Sequence, residues 1–285
     1  MTAPTGPTLY VDLHMHSTAS DGSRAPADVV RAAKRANLAA IALTDHDSVA
    51  GLAEAEAAGA ELGVRVVKGV ELSAVEGETE THLLGLHLRD TDVLERGLVA
   101  LRAMRSRRAQ SIVERLNGLG VAVSFDAVLQ QAGTGVVGRP HVARALIAEG
   151  WATDARDAFD RYLGAGRPAY VAKDQLSMPD AIAMIHDAGG LAVLAHPGAG
   201  GTRERIESLR TLGLDGIEVK HPSHSSGDTT RLRGLCEQFG LVPSGGSDWH
   251  GAAEGPRTIG MMQVPAEWLA RQDAQLAAVG RAPAA

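Results

Sequence analysis

A chain of 285 residues that is 45% hydrophobic but only 3% aromatic must fill its core with Ala, Val, Leu and Ile, and it is long enough for one large domain or a domain carrying an insertion. A formal net charge of −6 leaves no overall basic field to hold a nucleic-acid duplex, so an anionic ligand must be attracted locally. The lone Cys236 excludes an internal disulfide and a thiolate zinc cage. No apolar run reaches membrane-spanning length and residues 1–7 lack the pattern of a signal peptide, which predicts a cytoplasmic protein without a membrane partner.

Leu9-Tyr10-Val11 reads as a strand, and His14 and His16 just beyond it share one face because strand side chains alternate. Two imidazoles there are half of a metal site or simply the polar end of a strand. A polar loop through Asp21-Gly22 leads to a helix opened by Pro26 and running to about Ala36. Leu38 to Leu43 is a continuous apolar run, the signature of a strand buried on both faces of a parallel sheet, and it ends in Thr44-Asp45-His46-Asp47. A helix over about Val49–Leu62 precedes a strand over Arg65–Val70 that ends at Glu71. Thr81–Leu88, carrying His82 and His87, is the next strand.

From about 92 to 172 the alternation gives way to helical units: a long one over Val93–Leu116, then Phe125–Gln131, Pro140–Glu149 and Asp154–Leu163. The pattern predicts a helical insertion over 92–172 in a discontinuous barrel of 8–91 and 173–272, with a loosely ordered tail over 273–285. The arginines from Arg102 to Arg108 read as a solvated helix face. Alternation then resumes. A helix over Pro179–Asp187, with Ser177 as N-cap, precedes strands over Leu191–Ala195, Gly216–Val219 and Leu241–Ser244, separated by helices over Arg203–Leu212 and Thr229–Phe239. These strands end at His196, near Lys220-His221, and at Asp248 and His250. Successive βα units argue for a parallel barrel whose strand ends gather on one face. The polar residues fall on those ends.

The candidate ligands are His14, His16, Asp21, His46, Glu71, His82, His196, Asp248 and His250. Imidazole and carboxylate without thiolate suit Mn²⁺, Fe²⁺ or Zn²⁺, and so many ligands imply two or three ions, with Glu71 or Asp248 able to bridge a pair. The alternative is a scatter of unrelated surface histidines, which buried polar groups in need of partners disfavour.

Asp12-Leu-His-Met-His-Ser17, Thr44-Asp-His-Asp47, Gly69-Val-Glu-Leu-Ser73, Ala195-His-Pro-Gly198 and Gly246-Ser-Asp-Trp-His250 resemble the ordered motifs of the PHP (polymerase and histidinol phosphatase) superfamily. The resemblance implies an α/β fold, a distorted (β/α)7 barrel with a trinuclear metal centre, Mn²⁺ first among its ions. One ion would take His14, His16, Glu71 and Asp248, a second Glu71, His82 and His196, and a third Asp21, His46 and His250. The helical insertion with Val137-Gly-Arg-Pro-His-Val-Ala-Arg144, followed by Tyr170-Val-Ala-Lys173, is similar to the branch of 3′,5′-nucleotide bisphosphate phosphatases, some of which are also 5′→3′ exoribonucleases on short RNA. On that reading the substrate is a nucleotide or a short single-stranded RNA, with no obligate protein partner implied. Arg139 and Lys173 would hold the phosphate that the metals do not. Glu71 and His196 would be essential to turnover. His221 would protonate the leaving oxygen or orient a ligand, His141 would meet substrate or cap its helix, and His224 would stand on the substrate side. A histidinol-phosphate phosphatase and a non-catalytic metal-stabilised module are the competing readings. The first has no use for a second cation pair, and the second none for a complete ligand set. Cys236, His87 and His186 read as structural.

Overall fold

The computed structural model describes residues 9–77, 79–133, 135–172, 176–253, 255, 257–278 and 280. β1 (Tyr10–Asp12), β2 (Ala40–Leu43) and the first part of β3 (Arg65–Glu76) pair in parallel. They are joined by α1 (Pro26–Arg35) and α2 (Leu52–Leu62). Pro26 supplies the fixed φ that suits a first helical turn, and Val29, Val30 and Ala33 turn one face of α1 inward.

Two findings depart from the expected order. β3 does not stop before Glu71; it runs on to Glu76 and pairs antiparallel with β4 (Thr79–Leu86) from Gly69↔Leu86 to Glu76↔Thr79. Only residues 77 and 78 separate the two strands, and a parallel crossover needs about a dozen or more. β4 therefore enters the site end first, and His82 reaches the site from the early part of its strand.

Then come α3 (Thr91–Gly118), capped by the Asp90 carboxylate, α4 (Phe125–Ala132), α5 (Arg139–Ala148) and α6 (Ala155–Ala158), which widens into a π-turn over Phe159–Leu163. The first half of α3 packs on the barrel core through Leu94, Leu98 and Leu101, while its second half and the helices after it share their own apolar centre, with Ile112, Leu116, Val128, Val142, Leu146 and Leu163 buried together. α7 (Met178–Asp187), capped by Ser177, leads back to β5 (Leu191–Leu194), which is antiparallel to β4. Parallel pairing then resumes through β6 (Gly216–Lys220) and β7 (Val242–Gly245), by way of α8 (Arg203–Thr211) and α9 (Ser226–Phe239).

The sheet has eight strands in the order β7-β6-β5-β4-β3-β2-β1-β8, the eighth being the two-residue β8 (Val264–Pro265), antiparallel to β1. The Leu13 amide donates to Gly245 O at 3.0 Å and Met15 bridges Trp249, so β7 and β1 meet and nearly close the barrel. Gly246 is required at that seam: a Cβ there would lie 2.4 Å from the His14 Cβ. The barrel centre is aliphatic, with Leu13, Val70, Leu72, Leu83 and Val193 almost fully buried. The expected loose tail begins instead as part of α10 (Ala266–Ala278), which buries Trp268, Leu269, Gln272 and Leu276 and ties Asp273 to Arg65. Cys236 is buried, and His87 and His186 bond Gln272 at 3.0 Å and Asp215 at 2.7 Å.

Candidate metal centre

His14 and His16 follow β1 with their rings on one face, both fully buried. The Nε2 of His14 lies 3.4 Å from both Glu71 Oε2 and Asp248 Oδ1, and the Nε2 of His16 lies 3.2 Å from each. An ion bound tetrahedrally at about 2.0–2.2 Å sets its ligand atoms roughly 3.3–3.6 Å apart, and these four distances of 3.2–3.4 Å are close to that spacing. His14 Nε2, both ring nitrogens of His16 and His46 Nδ1 are buried and find no hydrogen-bond partner among the described residues. Orphaned buried nitrogens are rare, and these are aimed at carboxylates. The donor set fits divalent ions.

Glu71 is the hub. A parallel bridge to His46 and the pairs Asp47 N to Glu71 O (3.0 Å) and Glu71 N to Asp45 O (3.2 Å) fix its backbone. Its Oε2 lies 3.1 Å from His46 Nδ1, and its Oε1 lies 2.8 Å from His82 Nδ1 and 3.1 Å from His196 Nε2. On the other side His250 Nε2 is 3.3 Å from Asp21 Oδ1, and His16, Asp21, His46 and His250 bring ligand atoms within 4.8 Å of one another. All nine candidate ligands thus meet in one cluster.

Its electrostatics are those of an anionic pocket. Burial alone would raise the Glu71, Asp21 and Asp248 carboxyls, but the imidazoles around them hold all three well below the usual carboxylate range. Burial would depress His14 and His16, yet Glu218, Glu71 and Asp248 push His14 well up, and Asp248 and Glu71 push His16 up to about 10. His46 goes the other way, pushed down to about 3 by burial against the opposing pull of Glu71. Divalent ions bind such a ligand set in competition with protons.

The ligands are held under strain and from behind. His196 and Asp248 adopt positive φ of 30° and 51°, a region costly for residues other than glycine that recurs at functional sites. Glu218, fully buried on β6, takes the His14 Nδ1 proton at 3.0 Å and the His196 amide at 2.7 Å. Such carboxylate–imidazole pairs orient metal-binding histidines, a role that sequence reasoning missed although Glu218 is the only acid in its strand. Asp45 accepts from Ser17 N, Ser17 Oγ and Ser20 Oγ, each at 2.7 Å, and so shapes the loop that carries Asp21. Asp12 accepts from Ser247 N and Gly260 N at 2.9 Å, and burial pushes its carboxyl up to about 6.

Several expected substrate residues are placed otherwise. His221 is 1% exposed; its Nδ1 accepts from Ser223 N and its Nε2 faces Asp248 Oδ2 at 3.4 Å, a contact that fits the ligand-orienting alternative. His224 donates from Nδ1 to Val219 O and accepts from Gly198 N at Nε2, so both ring nitrogens are spent on backbone. His141 is buried and its Nδ1 accepts from Gly138 N, a capping role; burial, then the nearby Arg144, pushes it down to about 4. Lys173 lies outside the described residues.

Arg139 does face the cluster. It lines a cavity with Asp21, His46 and His82, pairs with Glu80 at 3.3 Å and lies over the Phe159 ring. The same cavity is lined by Arg105 and Arg108 of α3, which corrects the expectation of a solvated arginine face. Arg105 pairs with Asp47 and donates to Ser73 Oγ at 2.7 Å, Arg102 pairs with Glu95, and of the run only Arg107 is exposed. The helical segment also touches the Asp21 loop directly: Arg144 donates to Asp21 O at 3.2 Å, and a Cβ on Gly135 would lie 2.4 Å from Ser20 O.

The model of the PHP domain family matches residues 12–169. The chain is 40% identical over 258 residues to a 3′,5′-nucleoside bisphosphate phosphatase of Chromobacterium violaceum, covering 88% of this chain and 90% of that one. It is 36% identical over 249 residues to a 5′-3′ exoribonuclease of Haemophilus influenzae, covering 85% and 90%. A solved structure from Bifidobacterium adolescentis, assigned as a metal-dependent phosphoesterase, superposes with a TM-score of 0.86 at 30% identity over 97% of both chains. Among the described residues no helix is long and apolar enough to cross a membrane.

Proposed function

The chain belongs to the PHP domain family, and from that membership we propose that it is a metal-dependent phosphoesterase that removes the 3′-phosphate of 3′,5′-bisphosphonucleotides, with 5′→3′ trimming of short RNA as a second use of the same site. One observation carries the reading: a cage of imidazoles and carboxylates opens into the same cavity as three guanidiniums, from Arg105, Arg108 and Arg139. A monophosphate ester needs only the cage. A substrate with two phosphates needs a second cationic surface, and charge-assisted contacts from arginine suit it.

His14, His16, Glu71 and Asp248 would hold one ion, Glu71 with His82 and His196 a second, and Asp21 with His46 and His250 a third; Mn²⁺ is the first candidate, then Fe²⁺ or Zn²⁺. Divalent ions in such a cluster neutralise phosphoryl oxygens and acidify water near neutral pH. The chain's own part is positional. Glu71 spans the cluster, Glu218 and His221 fix the orientations of His14 and Asp248, and the buried setting keeps competing water away from the scissile bond. The helices of 92–172 form the recognition surface. Both relatives act on nucleotide phosphoesters by their names, which supports this substrate class over histidinol phosphate.

The test is phosphate release from pAp, AMP, histidinol phosphate and a short 5′-phosphorylated RNA, side by side with Mn²⁺. Preference for pAp or the RNA is expected, with two to three equivalents of metal by elemental analysis. Preference for histidinol phosphate, or less than one equivalent of metal after supplementation, overturns the reading.

A further inference from the structure

The three arginines of the cavity are not equally committed. Arg105 is engaged by Asp47 and Ser73, and Arg139 is engaged by Glu80 and stacked over Phe159 at 5.8 Å from the ring centroid. Arg108 has no carboxylate partner among the described residues. Its Nε donates to Val171 O at 2.9 Å, and its Nη2 is buried with no hydrogen-bond partner among the described residues. A guanidinium carries its charge at any working pH, and Arg108 lines the cavity that also holds His46 and His82. Burial and then the neighbouring charge of Arg139 push the Arg108 pKa down, against the pull of Glu80.

We infer that Arg108 is the residue that receives the second phosphate of the substrate and thereby sets the preference for bisphosphonucleotides over monophosphates. The inference rests on the phosphoesterase reading above and deepens it. An anionic phosphate oxygen on the cavity side of the guanidinium supplies the close counter-charge that Arg105 and Arg139 already have in Asp47 and Glu80. Val137 and Ile112, which line the same cavity, give an apolar surface beside it for the rest of the nucleotide. Anchored at Nε by a backbone carbonyl, the Arg108 fork is held in place before substrate arrives, so little side-chain freedom remains to be lost on binding.

The experiment is steady-state kinetics of the Mn²⁺-loaded protein on a nucleoside 3′,5′-bisphosphate and on the matching nucleoside 3′-monophosphate, for wild type, Arg108→Ala and Arg108→Lys. Wild type should prefer the bisphosphate. Arg108→Ala should lose about ten- to a hundredfold in kcat/KM on the bisphosphate, carried by KM, and stay within about twofold on the monophosphate. Arg108→Lys should recover part of the loss. Should Arg108→Ala melt well below wild type, Arg108→Gln, which can keep a donor towards Val171 O, carries the same comparison. A wild type indifferent to the second phosphate overturns the functional reading itself. A wild-type preference that survives loss of Arg108, or an equal loss on both substrates, overturns the Arg108 assignment and leaves that reading standing.

Discussion

The metal cage and the arginine wall face each other across one cavity and are built by different means. The cage takes its ligands from strands and the loops that follow them, His14 and His16 after β1, His46 after β2, Glu71 and His82 on a paired hairpin, His196 after β5 and Asp248 after β7, each backed by sheet hydrogen bonds. The wall stands on α3 and the start of α5; α3 is rooted in the barrel core by Leu94, Leu98 and Leu101 and from Ala109 joins the separate apolar centre it shares with α5. A cage on strands holds its ligand atoms within tenths of an ångström of an ion's needs, as metal chemistry demands. A wall on a partly separate unit can vary its chemistry while the cage stays the same. Under the proposed function, catalysis belongs to one region and choice of substrate to the other.

The strongest way to break that division is at its hub. Glu71→Ala should lower turnover on every phosphoester by at least about 10²–10³-fold, the scale for losing a central charge-stabilising group, while circular dichroism shows the fold kept because the barrel core is aliphatic. Substantial activity of folded, metal-supplemented Glu71→Ala would remove Glu71 from its bridging position. A step down in size, Glu218→Ala should leave the ligand set complete but its orientation loose, costing about 10–100-fold in metal affinity by titration calorimetry. Unchanged affinity would mean that the His14 ring is held by its packing alone. At the smallest end, Arg139→Ala should cost only about two- to fivefold on a bisphosphate, since its charge is already shared with Glu80. Exposed Arg107→Ala should change neither kinetics nor melting temperature measurably. A larger effect of Arg139 than of Arg108 would move the centre of the wall from α3 to α5.

Legibility followed the same divide. The strand-end ligands could be read because polar residues interrupting apolar runs need a reason, and metal binding supplies one for many of them at once. The direction of β4 could not, since it depends on the shortness of the connection from β3, and β3 had been ended too early at Glu71. The role of α10 was hidden by its alanines, although Trp268, Leu269, Gln272 and Leu276 form a buried stripe at helical spacing. The arginines of α3 offered a signal that went unused: Arg102, Arg105 and Arg108 recur every three residues and so share a face, while Arg107 does not. Which way His221 and His224 turn is decided by Ser223, Gly198 and Val219, contacts that no periodicity encodes.

The seam between β1 and β7 has a consequence for how the protein is made. His14 and its carboxylate partner Glu218 are 204 residues apart, and Asp12 and Gly260 are separated by 248. At a synthesis rate of about 5–20 residues per second, the first histidines leave the ribosome roughly ten to forty seconds before the Glu218 that orients them. Through that interval His14 and His16 are an open imidazole pair on a nascent chain, able to meet whatever divalent transition metal is at hand. Selection of the right ion is therefore deferred to the moment the last strands close the ring, and the composition of the surrounding metal pool at that moment helps decide what the finished enzyme carries.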